Sequence, residues 1–188
     1  ILEEMNQGAT QLHRLLENLL TWAQLQRGSM VLEPEELRLE PLLRNCVELF
    51  QNSTDQKGIR LEWEVDAGLR VHANARGLET VVGNLIGNAI KYSHSGDQVT
   101  VRATRKDDAV LIAVEDTGVG IPEEKLGNLL KLGERNSTLG TDGEKGSGLG
   151  LQLCKELIDN LGGELIVESQ EGVGSRFVVR FSTVASAR

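Results

Sequence analysis

The sequence predicts an α+β fold: a two-layer α/β sandwich in which helices cover one face of a mixed sheet, preceded by a long N-terminal helix. Three observations predict it. Apolar residues recur at helical spacing through the first 27 positions. The stretch Ile59–Asp66 alternates with period two. Beyond it, helical patterns interleave with two hairpin signals, and polar residues between the strand apolars leave one sheet face solvated.

The first segment, Ile1 to about Arg27, repeats Leu12, Leu15, Leu16, Leu19, Leu20 and Ala23 among Gln11, Arg14, Glu17, Asn18 and Gln24, and Gly28-Ser29 end it. A helix of about 25 residues is about 38 Å long. Its apolar stripe needs another helix to cover it, either within one compact domain or as the protruding arm of a helical dimer. Glu36–Glu40 reads as a short strand, and Pro41 opens a helix to about Lys57. Ile59, Leu61, Trp63 and Val65 then mark a half-buried strand. Asn74 caps a helix from about Arg76 to Tyr92. Val99–Thr104 and Val110–Val114 pair around Lys106-Asp107-Asp108. Leu149–Leu161 is helical up to Gly162-Gly163, and Leu165–Glu168 pairs with Arg176–Phe181 across Glu171-Gly172.

Composition narrows the classes. At 188 residues the chain buries one domain core with a short appendage. With 20 basic against 28 acidic residues, the net charge of −8 argues against a nucleic-acid surface. No run reaches the ~18 apolar residues of a membrane span. Cys46 and Cys154 lack metal-ligand spacing and suit a reducing cytoplasm. The chain opens at Ile1 in a helical pattern with no initiator Met or signal profile, and reads as a piece of a longer protein.

Three clusters carry chemistry. In Asn84-Leu85-Ile86-Gly87-Asn88-Ala89-Ile90-Lys91-Tyr92-Ser93, residues Asn84, Asn88 and Lys91 share one helical face while the apolar residues face the core. Two amides and an ammonium in a row suit a polyanion and its metal ion, although asparagines also serve as surface and cap residues. Asp116-Thr117-Gly118-Val119-Gly120-Ile121-Pro122 follows a strand. There a carboxylate accepts from an amine-bearing ligand and glycines admit a flat ring, or the run is a tight turn. Gly146-Ser147-Gly148-Leu149-Gly150-Leu151 leads into a helix whose exposed N–H groups favour anions. It is neither a Walker A loop nor a dinucleotide fingerprint. The polar, aperiodic Leu132–Lys145 before it has the character of a lid.

In this order and spacing, the clusters resemble the catalytic, ATP-binding domain of sensor histidine kinases, in the wider family of gyrase B, MutL and heat-shock chaperone ATPases. Asn84–Ser93 resembles that family's N box, Asp116–Gly120 its first glycine box and Gly146–Leu151 its second. Ser137-Thr138 to Glu144-Lys145 resembles one kind of kinase lid, and Gly172–Phe177 the last hairpin. The resemblance covers about 34–184 and implies the Bergerat-type ATP fold. It makes residues 1–30 the second helix of a dimerisation hairpin whose first helix is absent.

The resemblance implies roles for individual residues. Asp116 accepts from the adenine amine, with Gly118, Gly120 and Ile121 shaping the pocket. Asn88 coordinates Mg²⁺ between the phosphates, with Asn84 nearby. Lys91 meets phosphate oxygens and Tyr92 borders the nucleotide. Lys145 and the run Gly146, Ser147, Gly148, Leu149 and Gly150 hold the β and γ phosphates, with Arg135 a lid candidate. Hydrolysing members carry Glu where this chain has Asn84, and an amide is no general base, so transfer to a side chain is implied instead of hydrolysis. The lid departs from the usual pattern: Leu129, Leu130 and Leu132 replace the phenylalanines common there.

None of His13, His72 or His94 carries the acidic and proline neighbours of a phosphoacceptor. The expectation is therefore a kinase domain of a bacterial two-component phosphorelay with ATP and Mg²⁺ as its ligands and no catalytic residue of its own in this chain. It would not label itself, and would use a phosphoacceptor-His helix of the parent and a response-regulator receiver domain. It would be cytoplasmic, homodimeric through the N-terminal helix by way of Leu12, Leu16, Leu19 and Ala23, and without nucleic acid. The alternatives are a dimer-clamp ATPase of the same superfamily and a non-catalytic nucleotide-sensing or interaction module.

Overall fold

The computed structural model describes residues 16–25, 27, 32–130, 139–144 and 148–183, and over these the two-layer α+β sandwich is found. Gly28-Ser29, Leu12, Leu15, His13 and the lid stretch 131–138 lie outside the described residues. Helix α1 is described over 16–25. There follow β1 (Glu35–Arg38), α2 (Leu39–Glu48), α3 (Gln51–Lys57), β2 (Arg60–Val65), β3 (Arg70–Ala73) and α4 (Ala75–Lys91). The chain continues through β4 (Gln98–Lys106), β5 (Ala109–Asp116), the short α5 (Glu123–Leu126), α6 (Gly150–Asn160), β6 (Glu164–Gln170) and β7 (Gly174–Ser182).

The sheet runs β2-β4-β5-β7-β6, with β2 parallel to β4 and every other pair antiparallel. It is mixed, as expected. A second, two-stranded sheet pairs β1 with β3. The single helix expected from Pro41 to Lys57 is instead two helices broken at Leu49-Phe50. Phe50 is 8% exposed while Leu49 is 81% exposed, so the break turns the aromatic ring inward, a choice that periodicity alone does not show. Asn74 caps α4 as expected, its Oδ1 accepting from Gly77 N at 3.0 Å.

Val81, Val82, Leu85, Ile86 and Ala89 of α4 meet Leu153, Leu157 and Ile158 of α6 and the sheet residues Val99, Val101, Ile112 and Val179, all at 2% exposure or less. Burying that many branched side chains, each worth about 1.5–3 kcal/mol, fixes α4 across the sheet. The opposite sheet face carries charge, as its polar alternation foretold. Glu64, Arg102, Glu115, Arg176 and Glu168 form a continuous ladder over all five strands, with Arg102 and Arg176 each bonding Glu115 at 3.1 and 2.8 Å.

Helix α1 lies on the domain through Asn18, Trp22 and Leu25, which share one face at i, i+4 and i+7. Trp22 donates Nε1 to Glu156 Oε1 at 3.2 Å. The expected apolar stripe is not the docked face: Leu16, Leu19 and Leu20 remain 46–60% exposed. No described helix is long and apolar enough to cross a membrane.

Candidate functional site

The site grows from the C-terminal turns of α4. Leu85, Ile86, Ala89 and Ile90 point into the core, and this turns Asn84, Asn88 and Lys91 outward along the adjoining stripe. The backbone carbonyls where the helix stops then act as anchors. Val119 N donates to Tyr92 O at 3.0 Å, and Thr141 N donates to Lys91 O at 3.0 Å. Two segments far apart in sequence, the glycine turn 116–120 and the turn 140–144, are thus fastened to one helix end.

Asp116 is the last residue of β5 rather than a loop residue beyond it, since the strand runs two residues further than the apolar pattern indicates. Val110, Ile112 and Val114 face the helices, and the period-two pleat puts Asp116 next on the same side. The carboxylate is 9% exposed. Its Oδ1 accepts from Gly118 N at 3.0 Å and Ser175 N at 3.2 Å. Its other oxygen has no donor among the described residues. Every fully buried side-chain oxygen there is satisfied, so this one opens to the site. Burial pushes the carboxyl up to about 6, against the lowering pull of the two N–H groups and with a small push from Asp97.

The two glycines of the turn are held by close approach. A Cβ on Gly118 would stand 2.2 Å from Tyr92 O, and one on Gly120 would stand 2.0 Å from Gln170 O. Gly120 also has φ +66°, a conformation that disfavours a side chain. Ile121 N donates to Ser169 Oγ at 2.8 Å, so the turn is tied to the β6–β7 hairpin as well.

The asparagines separate. Asn84 uses both ends of its amide within the chain: Nδ2 donates to Thr80 O at 2.9 Å, and Oδ1 accepts from Asn18 Nδ2 at 3.2 Å. Asn88 is half-buried and makes no side-chain hydrogen bond to any described residue, which leaves its amide oxygen for a hard cation. No cluster of three or more His, Cys, Asp or Glu suited to a metal occurs among the described residues, so a cation here would draw its other ligands from elsewhere. Lys91 Nζ lies 4.6 Å from the Tyr92 ring centroid and donates to Tyr92 Oη at 2.9 Å.

α6 abuts the same face: a Cβ on Gly150 would lie 3.3 Å from Asn84 Oδ1. Its N-cap is Leu149, whose side chain makes no cap hydrogen bond. Gly150 is therefore brought to α4, with Gly148 and Leu149 just before it in the chain, while Arg135, Lys145, Gly146 and Ser147 lie outside the described residues. Leu129 and Leu130, the residues standing where phenylalanines were expected, pack on the core. A nearby cleft bordered by Pro122, Glu123, Glu124 and Glu171 has three carboxylates and repels phosphate.

One contributor escaped the sequence reading. Lys57, at the end of α3, donates Nζ to Ile90 O at 3.0 Å, Lys91 O at 3.3 Å and Glu144 Oε1 at 2.6 Å. No motif marks it. A lysine in the last turn of a short helix looks like a solvated charge until the fold closes around it.

Residues 73–185 match the family of histidine kinase-, DNA gyrase B- and HSP90-like ATPases. The chain is 33% identical over 182 residues to the alginate biosynthesis sensor protein KinB of Pseudomonas aeruginosa, covering 94% of this chain and 29% of KinB. The chain spans a fifth to about a third of the curated relatives it matches first. Full-length ShkA in complex with AMPPNP superposes with TM-score 0.77 at 26% identity, over 96% of this chain and 37% of ShkA. The histidine kinase ThkA in complex with the response regulator TrrA gives TM-score 0.74 over 99% of this chain and 52% of that one. At 23% identity, that likeness speaks for the fold alone.

Proposed function

This chain belongs to the histidine kinase-, DNA gyrase B- and HSP90-like ATPases as the ATP-binding catalytic domain of a two-component sensor histidine kinase, and on that premise we propose that it presents the γ-phosphoryl group of ATP to a histidine on a dimerisation helix of its parent. From that histidine an aspartate of a response-regulator receiver domain takes the group. Residues 1–30 form the second helix of the dimerisation hairpin and 34–184 the catalytic domain. The exposed Leu16, Leu19 and Leu20 then supply a surface for a second copy. His13, His72 and His94 are not the acceptor, and the chain alone does not label itself.

The observation that carries the reading is Asp116, buried at a strand end with one oxygen pinned by backbone N–H groups and the other open. That carboxylate accepts from the exocyclic amine of adenine, while Gly118 and Gly120 keep backbone and ring close and Ile121 borders them. Lys91 neutralises phosphate charge. Gly148, Leu149 and Gly150 offer backbone N–H groups at the α6 N-terminus, and Lys145, Gly146, Ser147 and Arg135 complete the phosphate arm. Asn88 would hold Mg²⁺, which when bound would neutralise charge building on the phosphate oxygens. With Asn84 already engaged at both ends, the site has no base there to activate water, so the phosphoryl group is preserved for transfer.

The test is calorimetric titration of Mg-ATP and Mg-ADP into the chain and into Asp116→Asn. Removing the charged acceptor is expected to cost about 1.5–3 kcal/mol, roughly tenfold to over a hundredfold in affinity. Equal binding by both proteins would remove adenine from Asp116. No binding by either would favour a non-catalytic interaction module.

A further inference from the structure

We propose that Lys57 is a positioning residue for the nucleotide site: it fastens the turn 140–144, the stem of the phosphate-binding run, to the end of α4 by way of Glu144. The inference rests on the nucleotide reading above, because it concerns the stem of that site's phosphate arm.

The Lys57 side chain is only 9% exposed, and a lysine ammonium is not buried without partners. Its partners here are of two kinds. The carbonyls of Ile90 and Lys91 are among the last of α4, where helix carbonyls lack intrahelical donors and the macrodipole favours a cation. The carboxylate of Glu144 closes the charge pair at 2.6 Å, with Asp142 Oδ2 at 3.9 Å. One ammonium therefore joins the end of α4 to a loop residue that lies 87 residues from the lysine itself.

Glu144 passes the constraint into the turn. Its second oxygen accepts from Asp142 N at 2.9 Å, its carbonyl accepts from Gly140 N at 2.8 Å, and Gly143 N donates to Gly140 O at 3.0 Å. Gly140 has no room for a side chain, since a Cβ there would lie 2.3 Å from Glu144 Oε2 and 2.7 Å from Lys91 Cγ. Thr141 adds Oγ1 to Ser93 O at 2.7 Å. The turn is a closed unit clipped to α4 by Lys57 on one side and Thr141 on the other. Glu144 stands six residues before α6 begins at Gly150. The turn that holds it therefore leads towards the N-terminus of that helix.

Lys57 touches none of the proposed ligand-binding side chains, so its effect is transmitted through Glu144. The test measures Mg-ATP dissociation constants for the parent chain, Lys57→Met, Lys57→Arg, Glu144→Gln and the double variant Lys57→Met/Glu144→Gln. All are measured at a temperature where circular dichroism shows each protein folded. Lys57→Met and Glu144→Gln are each expected to weaken binding about tenfold, the double variant no more than the worse single one, and Lys57→Arg to recover most of the affinity. A purely structural lysine would lower the melting temperature and leave these constants alone. If Lys57→Met does not fold, Glu144→Gln, which changes a partly exposed turn residue, carries the test. Parent-like binding by Lys57→Met or by Glu144→Gln overturns the proposal, as does additivity of the two. Failure of the parent chain itself to bind Mg-ATP would instead overturn the nucleotide reading.

Discussion

Asn18 donates its side-chain amide to Asn84 Oδ1 at 3.2 Å, so a residue of the N-terminal helix closes on the first asparagine of the polar stripe of α4. Asn84 is thereby a joint between α1 and the domain, with Trp22 to Glu156 as the second fastening. An intramolecular hydrogen bond contributes about 0.5–1.5 kcal/mol, so losing one shifts the docked population up to about tenfold without unfolding anything. With Trp63→Phe as background, Trp22 is the single tryptophan of the chain. Adding Asn18→Ala is expected to red-shift its emission and raise its quenching by iodide. Unchanged emission and quenching would mean that the pair does not hold α1.

Nucleotide affinity is expected to depend on pH through Asp116. Its carboxyl titrates near 6 in the folded chain, against an ordinary value of 3.8. Between those values the folded state binds more protons than the unfolded one, so this group's contribution to stability falls as pH rises through that window. Binding runs the other way. An adenine amine requires the ionised acceptor, so affinity is highest above pH 6 and falls about tenfold per unit below it. Titrations at pH 7.5, 6.0 and 5.0, with proton release measured near 6, check this. The same profile in Asp116→Asn would show that another group is responsible.

Gly120 and Gly172 have φ of +66° and +76°, but their surroundings differ. Nothing lies within 4 Å of a Cβ on Gly172, whereas one on Gly120 meets Gln170 O at 2.0 Å. Gly172→Ala is expected to cost about 1–2 kcal/mol, the backbone term alone. Gly120→Ala should cost more, because the turn and hairpin must also part, and should abolish nucleotide binding. Chemical denaturation of the two variants gives the comparison, and equal costs would refute the close approach.

Glu115 holds Arg102 and Arg176 together across the solvated sheet face. Glu115→Gln leaves two guanidinium groups facing each other and is expected to cost about 1 kcal/mol at low salt. Salt screens such interactions, so at 1 M NaCl the gap between the melting temperatures of parent and variant should narrow. A gap independent of salt would assign the effect to packing.

Much of the architecture was legible because the signals are local. The alternation that half-buries Leu61 and Val65, the cap at Asn74, and the stripe that buries Leu85 and Ile86 while turning Asn88 outward are set by the 2.0 and 3.6 residue periods, whereas Trp63, 37% exposed on the edge strand β2, departs from the buried face expected of it. Asp116 and its glycines stood out as a group, since a carboxylate followed by two glycines has little use in a regular strand.

Only the tertiary structure decided the rest. It separated Asn84 from Asn88, because one of two equivalent amides bonds Asn18 and the other makes no side-chain hydrogen bond to a described residue. It extended β5 to Asp116, because Ser175 of β7 lay in register to receive it. It gave Lys57 a task through Glu144, 87 residues away. The physical reason is common to all three. Side chains of the same type differ in role by the partner they meet, and partners distant in sequence are chosen by packing, which no local period encodes.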